Sequence, residues 1–275
     1  METFIYITLI LFLAGLIGGL LSGLLGIGGG VIYVFVLTQS HNYLYQNESE
    51  LGHFVIANSL FVIFFSTLSS TLLFRKNKLY YPKEIIRISI PSILALLLLT
   101  KFFVSTTYFK PKVFNTITLL ILVYILISSL IKIKQKKQSS HKKQLSNSIY
   151  YISGILSGTM ASLTGLGGGT ILNPILNGKY NLDLTTTRSI SLGVIMLSSL
   201  AITIFNLSLT PSFNYGYFTV GFINFSLCIP LAIGSLVTSQ FGVRLGNKLN
   251  SSTIIQLFSL FITFLIFKRV IELIT

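Results

Sequence analysis

In the stretch SGLLGIGGGVIYVFVL, Ser22 to Leu37, four glycines fall within five positions, Gly26 and Gly28 to Gly30. Inside a helix each glycine costs about 1 kcal/mol relative to alanine. The apolar block that contains them runs over residues 4–38. As one straight helix it would be roughly 50 Å long at 1.5 Å per residue. A bilayer core is only ~30 Å thick. Such a block must tilt strongly, protrude or break, and the glycines mark where a break falls. The stretch SGTMASLTGLGGGTILNPIL, Ser157 to Leu176, repeats the device inside a second overlong block, 148–177.

The surrounding composition sets the solvent. Of 275 residues, 52% are hydrophobic and only 9% are charged. Soluble proteins carry about 25% charged residues. So few charges cannot cover a soluble surface, and an integral membrane protein follows. Eight apolar blocks are expected, at 4–38, 52–74, 85–104, 113–133, 148–177, 188–208, 217–240 and 251–273. The net charge of +14 sits between these blocks. The positive-inside rule accounts for it, and no nucleic-acid partner is expected. The single cysteine, Cys228, excludes an internal disulfide. The opening METFIYITLI lacks the basic n-region of a signal peptide, so the first run is expected to be retained. Tryptophan is absent. Tyrosines near block ends (Tyr43, Tyr45, Tyr80, Tyr81, Tyr150, Tyr151, Tyr180, Tyr215 and Tyr217) are expected to take the interfacial role.

The chain divides into a first membrane repeat, 1–133, a basic cytoplasmic linker, 134–147, and a second membrane repeat, 148–275. SGLLGIGGGVI matches LTGLGGGTI around the glycines. ANSLF (Ala57 to Phe61) sits opposite SISLG (Ser189 to Gly193). ISIPSILA (Ile88 to Ala95) sits opposite SLCIPLAIG (Ser226 to Gly234), each with a proline inside a span. If every block crosses once, the Lys and Arg residues divide 13 to 7 between the two sides. If each long block turns back at its glycines they divide 15 to 5, the halves become inverted, and both termini lie outside the cytoplasm. The sharper asymmetry favours the hairpins. The return arm, Val31 to Thr38, is short for a full crossing and reads as a re-entrant or partial helix. The expected fold is therefore an all-α polytopic membrane protein of about 8–10 membrane elements. It has two homologous repeats, each with a glycine-broken first helix or hairpin, arranged as inverted repeats.

The glycines carry two readings. Gly15, Gly19 and Gly23 recur every four residues, as do Gly154 and Gly158, and Gly165 and Gly169. That spacing lets membrane helices approach closely. The dense clusters do more, because a glycine run leaves backbone amides bare. Irregular backbone at membrane depth must be buried in protein or line a watery cavity. A helix starting after each cluster would offer its free amides and positive dipole end to an anion. Two such sites from two repeats could converge near the midplane. A nucleotide motif is excluded, since neither G-x-G-x-x-G nor a Gly-Lys-Ser/Thr ending is present.

Taken together, SGLLGIGGG and ASLTGLGGGTILNPIL, each followed by a span carrying ANSL or SISLG, resemble the TauE/SafE sulfite exporter family of membrane permeases. The resemblance covers nearly the whole chain. It implies a cell-membrane permease for sulfite, sulfonates or other small organic or sulfur-containing anions. It places the pathway on Ser22, Gly26, Gly28, Gly29 and Gly30, with Gly165, Gly167, Gly168 and Gly169. It adds Asn58 and Ser59 from one half and Ser189 and Ser191 from the other. Asn173 is a further donor. Arg188 reads either as an interfacial anchor or as an anion-attracting gate, and Lys101 as a snorkelling anchor.

The acidic residues are Glu2, Glu48, Glu50, Glu84, Asp183 and Glu272, none in mid-span. His53 sits at the edge of its block. Coupling therefore rests on backbone and substrate protonation, or the protein is a facilitator. No metal spacing, catalytic pair or cofactor motif is present, so no enzyme activity, metal or cofactor is expected. The partners expected are a small anionic substrate and the lipid bilayer. The competing readings are an anion channel and a membrane assembly factor.

Overall fold

The computed structural model describes residues 2–45, 50–106, 108–134, 147–180, 182–216 and 218–249, with single positions and short pieces between 252 and 270. Most of the basic linker and of the last apolar block lies outside the described residues. In the first half, α1 (Glu2–Leu25) is followed by α2 (Gly30–Tyr45), α3 (Leu51–Lys76), α4 (Pro82–Leu99) and α5 (Pro111–Lys134). A π-helical turn, Thr100–Val104, extends α4. In the second half come α6 (Asn147–Thr164), the short α7 (Gly169–Asn173) running into a π-helical turn, Pro174–Lys179, then α8 (Leu184–Leu207) and α9 (Phe225–Lys248). A two-stranded hairpin, β1 (Thr219–Val220) with β2 (Ile223–Asn224), precedes α9. Among the described residues, six helices are long and apolar enough to cross a bilayer: α1, α3, α4 with its π turn, α5, α8 and α9. The protein is a predominantly α-helical, multi-pass membrane protein, with the short hairpin as its one departure among the described residues.

Both overlong blocks break at their glycines. The first turn lies between α1 and α2, and the second between α6 and α7. After Leu25 the chain folds back along α1. A β carbon on Gly18 would strike the ring of Tyr33, and one on Gly29 would strike the Gly18 carbonyl. The returning helix is longer than the expected arm of Val31 to Thr38. It continues through the polar residues 39–45, of which His41 is buried while residues 42–44 are exposed.

Packing follows one plan in both halves. The first helix of each half packs on the proline-bearing long helix of the other, α1 on α9 and α6 on α4. Helices α3 and α8 meet at the centre, α3 also packs on α9, and α8 on α4. Glycines set the two outer seams. A β carbon on Gly15, Gly19 or Gly23 would meet backbone of Leu231, Ser235 or Ser239 on α9. One on Gly154 or Gly158 would meet the Ile88 or Ser92 carbonyl on α4. Backbones in such contact gain van der Waals energy that larger side chains would forbid. Pro91 and Pro230 occupy matching places inside α4 and α9.

Two polar ends close the bundle. At one, the Tyr81 hydroxyl lies 3.1 Å from Thr186 Oγ1, and Ser189 donates to the Leu79 carbonyl. At the other, the Glu50 carboxylate accepts from the amides of Ser212 (3.1 Å) and Phe213 (3.3 Å). Helix α1 ends toward the first of these, where Arg188 binds the Leu24 carbonyl. Helix α6 starts there, with Tyr150 beneath Arg87 of α4, and runs to Gly165, whose carbonyl meets Ser59 of α3. The first helices of the two halves therefore run in opposite directions.

Candidate functional site

The two glycine turns meet each other. A β carbon on Gly30 would collide with the Leu166 carbonyl, and one on Gly169 would lie 2.6 Å from the Gly26 carbonyl and 2.8 Å from Ile27 Cα. Positions 26–30 correspond to 165–169, so the contact is reciprocal: the last glycine of each cluster rests on the beginning of the other. Only a residue without a side chain permits this approach. Gly28 (φ +88°) and Gly167 (φ +83°) hold the matching left-handed conformation in the two turns. A β carbon is strained there.

A shared apolar plug covers the turns. Ile63 of α3 and Ile195 of α8 both close on Gly28 and Gly167. Ile63 lies four residues after Ser59 and three before Ser66, and Ile195 has the same spacing from Ser191 and Ser198. Residues so spaced share one helix face. The sequences SLFVIFFS, Ser59 to Ser66, and SLGVIMLS, Ser191 to Ser198, agree at five of eight positions. This signal extends the match between ANSLF and SISLG by a full helical turn, and it identifies Ile63, Ile195 and Ser66 as site residues that the shorter match missed.

Polar side chains hold the turn carbonyls. Ser66 Oγ donates to the Gly28 carbonyl at 3.1 Å, and Ser22 Oγ donates to Ser66 Oγ at 3.3 Å. Ser59 Oγ donates to the Gly165 carbonyl at 2.8 Å. Asn173 Nδ2 donates to the carbonyls of Leu25 (2.7 Å) and Gly26 (3.3 Å), and its Oδ1 accepts from Ser191 at 2.6 Å. With their carbonyls held, the turns leave amides over. Those of Gly28, Gly29, Gly30 and Val31, and of Gly167, Gly168, Gly169 and Thr170, make no hydrogen bond among the described residues. Each set opens a helix at its positive dipole end. A small cavity between α2, α5 and Leu166, lined by residues including Val31, Val34 and Thr118, has a volume of about 20 Å³. That is barely room for a water.

Arg188 stands at one edge of this arrangement. Its stem crosses Gly26, where a β carbon would lie 2.7 Å from Cγ, and its guanidinium presses on Gly246. The side chain is 5% exposed. It donates to the carbonyls of Leu24 (3.2 Å) and Leu184 (3.3 Å), to Thr185 Oγ1 (3.4 Å) and to Asn247 Oδ1 (2.7 Å). All four acceptors are neutral. The Asp183 carboxylate, one turn away, caps α8 by accepting from the Thr186 amide at 2.9 Å. No carboxylate pairs with Arg188 among the described residues.

Two expected site residues lie elsewhere. Asn58 is committed to the β1–β2 hairpin: Nδ2 donates to the Phe54 and Phe222 carbonyls, and Oδ1 accepts from the Asn224 amide at 2.8 Å and from Cys228 Sγ at 2.9 Å. Ser189 ties α8 to the carbonyl of Leu79. The other candidates, Ser22, Ser59, Asn173, Arg188, Ser191 and the eight glycines, gather around the paired turns.

The paired turns also locate the chain among known proteins. It is 27% identical over 252 residues to a Methanocaldococcus jannaschii protein described as a "probable membrane transporter protein", an alignment covering 90% of this chain and 89% of that one. The sequence profile described as Sulfite exporter TauE/SafE matches residues 11–269, a range that takes in both glycine turns and the helices that cover them. The chain is thus a multi-pass membrane transporter protein, and it belongs to the sulfite exporter TauE/SafE family.

Proposed function

We propose that this transporter moves a small anion, such as sulfite, a sulfonate or another organic or sulfur-containing anion, by alternating access about the paired glycine turns. The carrying observation is Arg188. A guanidinium removed from water costs several kcal/mol unless an opposite charge accompanies it. Here its hydrogen-bond partners are all neutral, the Asp183 carboxylate acts on it only from beyond contact distance, and it lies across Gly26, beside unspent backbone amides. A transported anion supplies the missing charge, first at Arg188 and then at the amides of the two turns.

The opposite directions of α1 and α6, and the exchange of partners between halves, support two inverted repeats. Rocking one against the other would part the contact between Gly30 and Leu166 and that between Gly169 and Gly26. Arg75, Lys76, Lys78, Lys83 and Arg87 gather at the end of the bundle that holds Arg188. By the positive-inside rule that end faces the cytoplasm. The sealed contact between the turns favours a carrier over a permanent pore.

The test is flux in proteoliposomes with sulfite, a sulfonate, a carboxylate and chloride. Saturable uptake with counter-exchange of one of the oxyanions is expected. Linear, non-exchanging flux would indicate a channel, and no flux of any anion would overturn the reading.

A further inference from the structure

We propose that His41 is a proton-binding site that latches the outer end of the transporter: the neutral ring seals it, and protonation releases it. His41 is fully buried, and neither Nδ1 nor Nε2 has a hydrogen-bond partner. The Asn42 side chain, next in sequence, favours the protonated ring slightly, but it does not reach hydrogen-bond geometry with either nitrogen. Aromatic rings enclose the imidazole, with centroids 5.0 Å away for Phe54, 5.4 Å for Tyr45 and 5.8 Å for Tyr215.

This box joins three elements: α2, the start of α3 and the loop before β1. Its titratable and charged groups are few. Tyr45 donates to the Tyr215 carbonyl at 3.3 Å and accepts from Asn224 at 2.8 Å. The Tyr215 hydroxyl is buried without a partner. Glu50 is held by the Ser212 and Phe213 amides. His53 shares a 2.9 Å hydrogen bond with Asn206 and stacks on Phe222 at 3.7 Å.

A neutral imidazole fits the closed box, and a cation does not, because no acceptor meets either nitrogen and burying an unpaired charge is costly. Opening the box hydrates the ring, which then takes a proton in the ordinary imidazole range, about pH 6.5. The ring also lies in the last turn of α2, where the helix dipole favours a cation once water is admitted. Acid on the outer side therefore stabilises the open box. The same helix carries the consequence inward. His41 is eleven residues from Gly30, whose contact with Leu166 joins the two halves. A tilt of α2 released at His41 moves that contact.

The latch is tested apart from transport. The chain has no tryptophan, so Phe213→Trp places a single reporter on the rim of the box, next to Tyr215 (ring centroids 5.0 Å). In nanodiscs, its emission maximum is followed from pH 8 to pH 5. A shift to longer wavelength, centred near the imidazole range, is expected as the box opens. It should vanish in His41→Gln and in His41→Phe, the second of which fills the box with another ring, and it should persist in His53→Gln. No shift in the parent, a shift that survives both His41 variants, or one lost only with His53, would overturn the proposal. Because the readout needs no substrate, it stands whether or not sulfite proves to be carried.

Discussion

The hydroxyl of Ser59 donates to the carbonyl of Gly165 at 2.8 Å, from the first half of the chain to the second. The return link is longer. Ser191, the counterpart of Ser59, donates to Asn173, and Asn173 donates to Leu25 and Gly26, the latter the counterpart of Gly165. The first half has Val34 where the second has Asn173. One glycine carbonyl is thus held directly and the other through a relay.

The relay should behave as a unit. Asn173→Ala leaves the carbonyls of Leu25 and Gly26 without their donor at a part-buried contact, which costs about 1 kcal/mol or more. Ser191→Ala removes only the donor to Asn173. Thermal unfolding in detergent should show the double variant less destabilised than the two singles combined, with a coupling of roughly 0.5–3 kcal/mol. Simple additivity would mean that Ser191 does not support Asn173.

The contact between turns can be probed without disturbing either turn. Gly30 and Gly169 lack the left-handed conformation, so alanine is compatible with their backbone. The added β carbon collides with the opposite half, with Leu166 from position 30 and with Gly26 and Ile27 from position 169, where it also meets the Ile195 side chain of its own half. Gly30→Ala and Gly169→Ala should insert and fold, yet lose at least tenfold in anion flux. Gly29→Val and Gly168→Val are harsher. Gly29 is left-handed and faces Gly18, and Gly168 faces Ser157, so both should also lower the melting temperature. Normal flux from the two alanine variants would show that the halves need not close at this point.

Much of this was legible in the sequence because it rests on local rules. Span length located both breaks, and four-residue glycine spacing marked the α1–α9 and α4–α6 seams. The plug was encoded too, in the motif shared by Ser59 to Ser66 and Ser191 to Ser198, but the match of ANSLF with SISLG stops before Ile63 and Ile195. What escaped depends on partners distant in sequence. Asn58 has the character of a pathway residue, but Phe222 and Asn224, more than 160 positions away, engage it. His41 lies in a polar stretch that reads as the end of a membrane arm. Only the burial of its ring among Tyr45, Phe54 and Tyr215 reveals a helix that continues. The charge environment of Arg188 was equally hidden, since an interfacial anchor and a buried cation look alike in sequence.

Arg188 should set affinity for the anion. Arg188→Gln keeps part of the hydrogen bonding to Leu24 and Asn247 but removes the charge. The half-saturation concentration for sulfite should rise by an order of magnitude or more, since hydrogen bonds to charged groups are worth about 1.5–3 kcal/mol. Arg188→Lys keeps the charge but loses the fork that reaches several acceptors at once, and should fall between the parent and the glutamine variant. Unchanged half-saturation in Arg188→Gln would leave the guanidinium a structural clamp between α1, α8 and α9.

Orientation is open to a direct measurement. Lys76 ends α3 at the end rich in Arg75, Lys78, Lys83 and Arg87, whereas Tyr108 lies at the opposite end and is 79% exposed. Only Lys101, Lys110 and Lys112 accompany Tyr108 there among the described residues. Cytoplasmic loops collect Lys and Arg, so Lys76 should face the cytoplasm and Tyr108 the exterior. The native Cys228 is buried, which keeps background labelling low. In intact cells an impermeant maleimide should modify Tyr108→Cys promptly and Lys76→Cys only after the membrane is opened. The reverse pattern would invert the protein and place the His41 box on the cytoplasmic side. Equal labelling of both sites in intact cells would place both ends on one face, which α3 and α4 cannot do if each crosses the bilayer once.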